Sequence, residues 1–552
     1  SIDDKIQYRV ATINFYSGSS TVDNIGLKKI KKIAKIAKER NARIKIVGHA
    51  SKRTRDMPLA KHKLVNFNIS DKRAQSVANV FITKYSFPSF NLITEAVSDT
   101  KPLFKENMPA GTKANQRTEI FLIYWVVSSE EINIAIAGVG TVGKGLLELI
   151  EQYKNNKINI NIKAVASRRK QKFKGSLYKK TKFFDNAHEF LNFNDYDVLV
   201  ELIGGDKGVS KTIVFDALKK KKNVVTANKA LVSKFWKEIK ILEKKNNCSL
   251  KYEAAVAGGI PIIKVIEEFL LSNKIKKIYG ILNGTSNYIL SKMLSSNKEF
   301  HSILSDAQKL GYAESDPKFD IDGTDTAQKL SILSSLAFSF NNSAKNIKNE
   351  GIDKIKLLDL KLAESLGYKI KLLGITELEE NCIKNYVYPC LTSKSSFVAG
   401  VDDVYNGIVV ESDFCKKSFF VGEGAGAYPT ATSVLSDIVN LTKKNINEFE
   451  SNSKNKFRNI SLEDRYGSYY LRFTTDDRSG VISGIANQFK KYNISMKSML
   501  QREQEKNYSK NATIVITTHN CNEKNMMKAL KKINQLDFIK EKTVYIRIEK
   551  FI

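Results

Sequence analysis

No apolar run in this 552-residue chain reaches the roughly eighteen residues that a membrane-spanning helix needs, so no membrane partner is expected. Its five cysteines, Cys248, Cys382, Cys390, Cys415 and Cys521, show no Cys-x-x-Cys spacing and make an odd total. That argues against a disulfide framework and against a zinc site, and a reducing compartment is the simplest setting. The five histidines, His49, His62, His188, His301 and His519, lie far apart without ligand-like spacing. From Ser1 onward there is no series of basic, apolar and small-residue parts such as a secretory leader has, and a cytoplasmic setting is expected. Also missing is a basic stripe interleaved with aromatics. The formal charge of +32 is scattered in pairs and short runs such as Lys219 to Lys222, so no nucleic-acid partner is expected. The charge serves solubility and attracts anionic substrates.

What is present is the composition of a globular protein, 42% hydrophobic and 27% charged. The length implies roughly three to four domains. Residues 311–329 carry the most information. Glu314, Asp316, Asp320, Asp322 and Asp325 stand beside Gly and Pro turn signals, and Lys329 closes the stretch. If a helix follows Gly323, Asp325 and Lys329 stand four apart on one face, with Glu314 and Asp320 approaching from the preceding loop. That is a pocket for a small zwitterion; the alternative is an ordinary surface pair worth a few tenths of a kcal/mol.

Residues 132–262 alternate strands and helices. Ile132, Ile134 and Ile136 lead into Gly138-Val139-Gly140-Thr141-Val142-Gly143, after which Leu146, Leu147 and Ile150 mark one helix face. Strand, Gly-x-Gly-x-x-Gly and helix in that order predict a Rossmann-type dinucleotide-binding domain. The first glycine permits the turn, the second admits a pyrophosphate and the third lets helix pack on strand. The next strand, Asn161 to Ala166, ends at Ser167-Arg168-Arg169, where arginines suit the 2′-phosphate of NADP better than the ribose hydroxyl of NAD. Val198 to Ile203 and Val224 to Thr226 read as buried parallel strands, the latter delivering Ala227-Asn228-Lys229.

Residues 263–442 hold the acidic stretch and end in a glycine loop, Gly422 to Ser433, that breaks into an apolar helix over Val434 to Leu441, expected to pack on the nucleotide domain. Residues 443–467 read as a polar linker. Residues 468–552 run strand, helix, strand, strand, helix, strand, a ferredoxin-like unit. At the other end, residues 1–125 form a small α+β unit with strands at Ile13 to Tyr16, Ala42 to Val47 and Ile120 to Tyr124 and a helix from Gly26 to Arg40. The fold class is therefore a multidomain α/β and α+β protein.

Three resemblances follow from these motifs. Phe15 to Ser19, Gly48-His49-Ala50-Ser51, Asn66, Ile69 to Ala74 and Asn115 to Glu119 resemble the peptidoglycan-binding domain of the outer-membrane-protein-A family. In that family an aspartate and an arginine grip the stem peptide. Arg73 matches the arginine, but Ser51 stands where the aspartate belongs, so the resemblance carries the fold further than the ligand. A working envelope module would imply an anchoring protein with the remainder as passenger, and a periplasmic setting in conflict with the cytoplasmic one expected for the rest of the chain.

Residues 132–552 resemble homoserine dehydrogenase through Gly138 to Gly143, Val224 to Lys229, Glu253 to Pro261, Asn283 to Tyr288, Gly311 to Lys329 and Gly424 to Ser433. The resemblance implies NAD(P)H-dependent reduction of aspartate semialdehyde to homoserine, in threonine, methionine and isoleucine biosynthesis. Glu314 and Asp320 would hold the substrate ammonium, Lys329 would be the acid, Asp325 its tuning carboxylate, and Lys229 would bridge substrate and cofactor. Another small amino or oxo acid is the alternative substrate. Glu253, Val256, Gly258 and Ile260 resemble the family's sodium site, and a homo-oligomer, typically a dimer, is implied. Asp477 to Ile482, Ile485, Ala486 and Phe489 resemble an ACT domain, which implies an amino-acid effector, threonine foremost, with a plain dimer-contact module as the alternative.

Overall fold

The computed structural model describes residues 5–40, 42–52, 57–125, 130–153, 158–168, 180–442, 457–502 and 511–551. The chain divides into two units, Ser1–Ser129 and Glu130–Ile552.

In the first unit, β1 (Lys5–Asn14), α1 (Asn24–Glu39), β2 (Arg43–Gly48), α2 (Leu59–Tyr85), β3 (Leu92–Ala96), α3 (Pro109–Asn115) and β4 (Arg117–Trp125) follow in order. The strands form one sheet, β1-β4-β2-β3, in which β2 and β3 alone pair in parallel. Asp23 starts α1 by accepting from the Gly26 N–H at 2.7 Å. Ile30, Ile33, Ala34 and Ala37 then recur at helical spacing and pack on Ala74, Val77 and Phe81 of α2 and on Ile44, Ile46 and Ile120 of the sheet. The first strand lies earlier than expected. β3 is absent from the sequence reading because Leu92–Ala96, half-buried or exposed along its length, shows no clean alternation.

The second unit opens with β5 (Glu130–Ala137), α4 (Thr141–Gln152), β6 (Ile158–Ala166), β7 (Lys182–Phe184), β8 (Val198–Glu201), α5 (Val209–Lys219), β9 (Asn223–Thr226), α6 (Lys229–Lys234), α7 (Trp236–Asn246) and β10 (Leu250–Lys251). The six strands are parallel in the order β10-β9-β8-β5-β6-β7. The order reverses between β5 and β8, and open α/β sheets bind ligands outside the carboxyl ends at such a reversal.

The chain continues through α8 (Ile262–Lys264), β11 (Ile275–Ile281), α9 (Gly284–Ser296), α10 (Phe300–Lys309), α11 (Lys318–Ile321), α12 (Thr324–Ala337), β12 (Lys348–Asn349), α13 (Leu357–Ser365), β13 (Tyr368–Glu379), β14 (Cys382–Ser393), β15 (Tyr405–Ser412), β16 (Lys417–Glu423) and α14 (Ala427–Asn440). It closes with β17 (Arg458–Asn459), β18 (Tyr466–Asp476), α15 (Val481–Lys491), β19 (Met496–Arg502), β20 (Asn511–Thr518), β21 (Cys521–Asn522), α16 (Glu523–Ile533) and β22 (Val544–Glu549). As expected, α14 lies on the nucleotide sheet, with Ala431, Val434 and Ile438 against Ile134, Ile136 and Leu146.

The C-terminal strands run β22-β18-β20-β19, the ferredoxin-like arrangement. The expected linker does not set them apart. Residues 443–456 lie outside the described residues, but β17 pairs with β14 at Cys382 and Ile383, and β22 pairs in parallel with β14 from Cys390 to Thr392. One sheet thus runs β16-β15-β11-β13-β14-β22-β18-β20-β19. The reason lies on the face opposite α15 and α16. There Tyr470, Val515, Ile546 and Ile548 need cover, and they share a core with Leu357 and Leu360 of α13. Among the described residues no helix is long and apolar enough to cross a membrane.

Candidate active site

Gly323, at φ +83°, makes the left-handed turn that starts α12, a conformation glycine adopts without steric cost. Asp325 and Lys329 then share one face, Nζ lying 2.8 Å from Asp325 Oδ2. Asp325 is 4% exposed and Lys329 8%. Loss of one partner of a pair buried this deeply costs about 3–5 kcal/mol, an order above a solvated i,i+4 pair, so the surface-pair alternative is excluded. Lys329 also donates to the Leu282 carbonyl at 2.7 Å.

Lys229 is the first residue of α6, placed there by Asn228, whose side chain accepts from the Leu231 N–H. Its Nζ lies 2.7 Å from Asp325 Oδ1, so both carboxylate oxygens of Asp325 meet a lysine. Ser233 and Ser331, 2.5 Å apart, bind α6 to α12 and hold this approach. Asn283 completes the cluster. Its amide donates to Asp320 Oδ1 at 2.8 Å and to Asp325 Oδ2 at 2.9 Å, while its oxygen caps α9 at the Ser286 N–H. The sequence reading used Asn283 only as part of a motif. An Asn-Gly-Thr-Ser helix start was the available signal.

Burial would raise the Asp325 carboxyl, but the Lys329 and Lys229 ammonium groups and the hydrogen bonds from both override it and hold Asp325 far below the usual carboxylate range. Lys329 moves the other way. Burial lowers it, Asp325 opposes that, and the charge of Lys229 adds to the lowering, so it is a stronger acid than an ordinary lysine. Lys229, also penalised by burial, is raised overall by Asp325, Asp320 and Glu314. Asp320 is raised by burial and by Asp325, against the Asn283 hydrogen bond. Glu314 is exposed, outside this hydrogen-bonded core, and acts on Lys229 through its charge.

The nucleotide turn lies at the strand-order reversal. Gly138 has φ +102°, and a Cβ there would lie 2.9 Å from the Leu202 carbonyl, at the end of β8. A Cβ on Gly143 would meet the Gly138 oxygen at 2.4 Å, whereas one on Gly140, just before α4, would meet nothing within 4 Å. The first and third glycines are therefore packing requirements, and the second leaves open space before the N–H groups of α4, as a pyrophosphate needs. Val139 is buried against the sheet core, and Thr141 and Val142 open the helix. Glu201, fully buried, fixes the neighbouring strand ends by accepting from the Ile203 and Gly204 N–H groups and from Thr226 Oγ1. The sequence reading did not anticipate it. Arg168 is exposed just beyond β6, and Arg169 lies outside the described residues.

The sodium expectation gains no support from the geometry. Glu253 turns both oxygens to the Ile263 and Lys264 N–H groups, at 2.8 and 2.9 Å. The Gly258 carbonyl accepts from Ser433 Oγ and the Ile260 carbonyl from the Ile262 N–H, and Val256 is buried. Burial and nearby Asp437 push Glu253 up to about 7. The carboxylate acts as a helix cap.

In the first unit Arg73 is 1% exposed and its donors go to main-chain carbonyls, those of Ser19 at 3.0 Å and His49 at 2.9 Å. Ser51 is buried and accepts from Gln116 Nε2 at 3.2 Å.

Family models match in three places: OmpA family over residues 14–116, the homoserine dehydrogenase NAD-binding domain over 138–253, and homoserine dehydrogenase over 261–439. The homoserine dehydrogenase of Neisseria gonorrhoeae is 36% identical over 436 residues, 76% of this chain and 98% of that protein. That of Helicobacter pylori is 36% identical over 428 residues, 76% of this chain and 99% of its own length. The crystal structure of a homoserine dehydrogenase from Thiobacillus denitrificans superposes with a TM-score of 0.70 at 35% identity, covering 76% of this chain and 99% of that one. A hyperthermophilic archaeal homoserine dehydrogenase in complex with NADPH aligns at 25% identity and a TM-score of 0.50, over 58% of this chain and all of its own. Similarity of that extent is one of family, and the chain belongs to the homoserine dehydrogenases, NAD(P)-dependent oxidoreductases.

Proposed function

We propose that Lys329, Asp325 and Lys229 carry the reduction of L-aspartate 4-semialdehyde to L-homoserine, a step toward threonine, methionine and isoleucine. The observation that supports this reading is the cluster in which half-exposed Lys229 meets the buried Asp325–Lys329 pair. Gly138 to Gly143 would hold a nicotinamide nucleotide, which would supply the hydride. As the carbonyl carbon gains that hydride, negative charge collects on its oxygen, and Lys329 stabilises the charge and delivers a proton from Nζ. Asp325 orients that ammonium and limits how far burial lowers it. Asp320, and Glu314 at the mouth, receive the substrate ammonium through charge-assisted bonds, while Lys229, just after β9, would bridge substrate and cofactor.

NADP is the preferred cofactor in this reading, because Arg168 follows the second strand where a 2′-phosphate would lie. The C-terminal unit acts as an ACT domain for an amino-acid effector, threonine foremost. A cavity of about 370 Å³ lined by Ser468, Lys497, Ser498, Thr517, His519 and Lys550 offers cations and hydroxyls for a carboxylate-bearing ligand. The working protein is a homo-oligomer in the cytoplasm.

The test is NADPH oxidation, followed by absorbance, with L-aspartate 4-semialdehyde and with its analogue lacking the α-amino group. Turnover of the first with a large loss of kcat/KM for the second is expected. Equal use of both would overturn the assignment of Asp320 and Glu314.

A further inference from the structure

Behind the catalytic turn runs a short strap, residues 349–352, in backbone contact with it. The Ile352 N–H donates to the Ile321 carbonyl at 2.9 Å, and Asn349 Nδ2 donates to the Asp322 carbonyl at 2.8 Å. The strap is anchored to the sheet by the Glu350 N–H, which donates to the Val387 carbonyl at 2.8 Å. There is no slack between strap and turn. A Cβ on Gly351 would lie 2.3 Å from the Ile321 oxygen and 2.7 Å from Asp322 Cα. One on Gly323 would lie 3.1 Å from Val387 Cγ1 and 3.3 Å from the Glu350 oxygen. The turn so backed carries Asp320 on one side and Asp325 on the other.

The strap is itself gripped from the C-terminal unit. Arg547, on β22, places Nη1 and Nη2 at 2.8 and 2.9 Å from the two Glu350 oxygens. The same guanidinium is braced by Glu523 at the start of α16, with Nη2 at 2.5 Å and Nε at 3.1 Å from Oε1. Arg547 and Glu523 are almost fully buried. A bidentate pair fixes direction as well as distance.

We infer that Glu350 and Arg547 are positioning residues for the semialdehyde site, which makes the C-terminal unit part of the machinery that holds Asp320 and Asp325. Neither touches a reacting atom. They act through the strap, and a shift of about 1 Å in the turn is enough to cost up to a hundredfold in rate. Removal of the chain from Ser468 onward would therefore perturb the active site as well as delete an effector module.

The seam contains a control. Asp359, on α13, meets Arg472 of β18 at 2.6 and 3.1 Å, a pair buried more deeply than Glu350, but makes no hydrogen bond to the strap or the turn among the described residues. Full-length Glu350→Ala and Asp359→Asn are compared with wild type for melting temperature and for kinetics with each substrate. Glu350→Ala is expected to lower kcat/KM for the semialdehyde by about ten- to a hundredfold, with the KM for NADPH unchanged. Asp359→Asn is expected to lower the melting temperature without that kinetic change. If Glu350→Ala does not fold, Glu350→Gln, which keeps the side-chain shape, carries the same comparison. Semialdehyde kcat/KM within twofold of wild type in the Glu350 variant, or an equal kinetic loss in Asp359→Asn, would overturn the inference.

Discussion

Arg73 and Lys329 are both buried cations on helices, both marked by family-like motifs, and their surroundings differ in kind. Lys329 has an ionised carboxylate at 2.8 Å, a second lysine beyond it and an asparagine clamping the carboxylates. Arg73 has main-chain carbonyls and the face of Phe15 at 5.3 Å, and the position where its family places an aspartate is Ser51, bonded to Gln116. Burial lowers Arg73 to about 10. One cation is set among charges that tune its proton; the other ties the segments around Tyr16, Ser19 and His49 to α2. A motif match alone does not separate the two cases. The partner set does.

The sharpest way to break this contrast is to delete each cation in turn. Lys329→Ala should reduce turnover by about 10²- to 10⁴-fold, the usual range for a positioned acid, with NADPH affinity kept when measured by fluorescence titration. Arg73→Ala should leave turnover unchanged and lower the melting temperature of the first unit. It leaves buried carbonyls unpaired, at about 1–3 kcal/mol for each group that water cannot reach. If Arg73→Ala is as active and as stable as wild type, the structural role given to Arg73 fails.

The nucleotide turn sharpens the comparison further. Gly143→Ala must push Cβ against the Gly138 oxygen and should cost about 1–3 kcal/mol of stability by thermal melt. Gly140→Ala meets open space, so the melt should be unaltered while the KM for NADPH rises roughly tenfold, about 1.4 kcal/mol of binding. Equal melting losses in the two variants would contradict the separate jobs assigned to these glycines.

How much of this was legible depended on how local each feature is. The Asp325–Lys329 pair needs only helical spacing after a glycine turn, and the Gly138–Gly143 turn needs only its flanking strand and helix, so both could be read directly. Asn283, Glu201 and Ser331 could not be assigned roles, because each acts on groups distant in sequence that only the fold brings near. The Glu253 loop resembled the family's sodium site and was equally compatible with a structural turn; its direct contacts, the N–H groups of Ile263 and Lys264, depend on the fold and could not be read from the sequence. Residues 457–467 looked like linker because they lack apolar periodicity, yet β17 joins the sheet through main-chain bonds that composition does not report. The pairing of β22 with β14 was hidden for the same reason.

The account rests on Lys329 being the acid and Asp325 the group that limits its lowering. The pH dependence of kcat for semialdehyde reduction, measured for wild type and Asp325→Asn, tests this most directly. An acid must be protonated to act, so the rate should fall as pH rises through the Lys329 pKa, which burial places below the ordinary lysine value of 10.5. Loss of the Asp325 charge removes the main influence that raises Lys329, so the alkaline limb should move to lower pH in Asp325→Asn. A rate independent of pH across that limb, or a limb at the same pH in both proteins, would contradict the account.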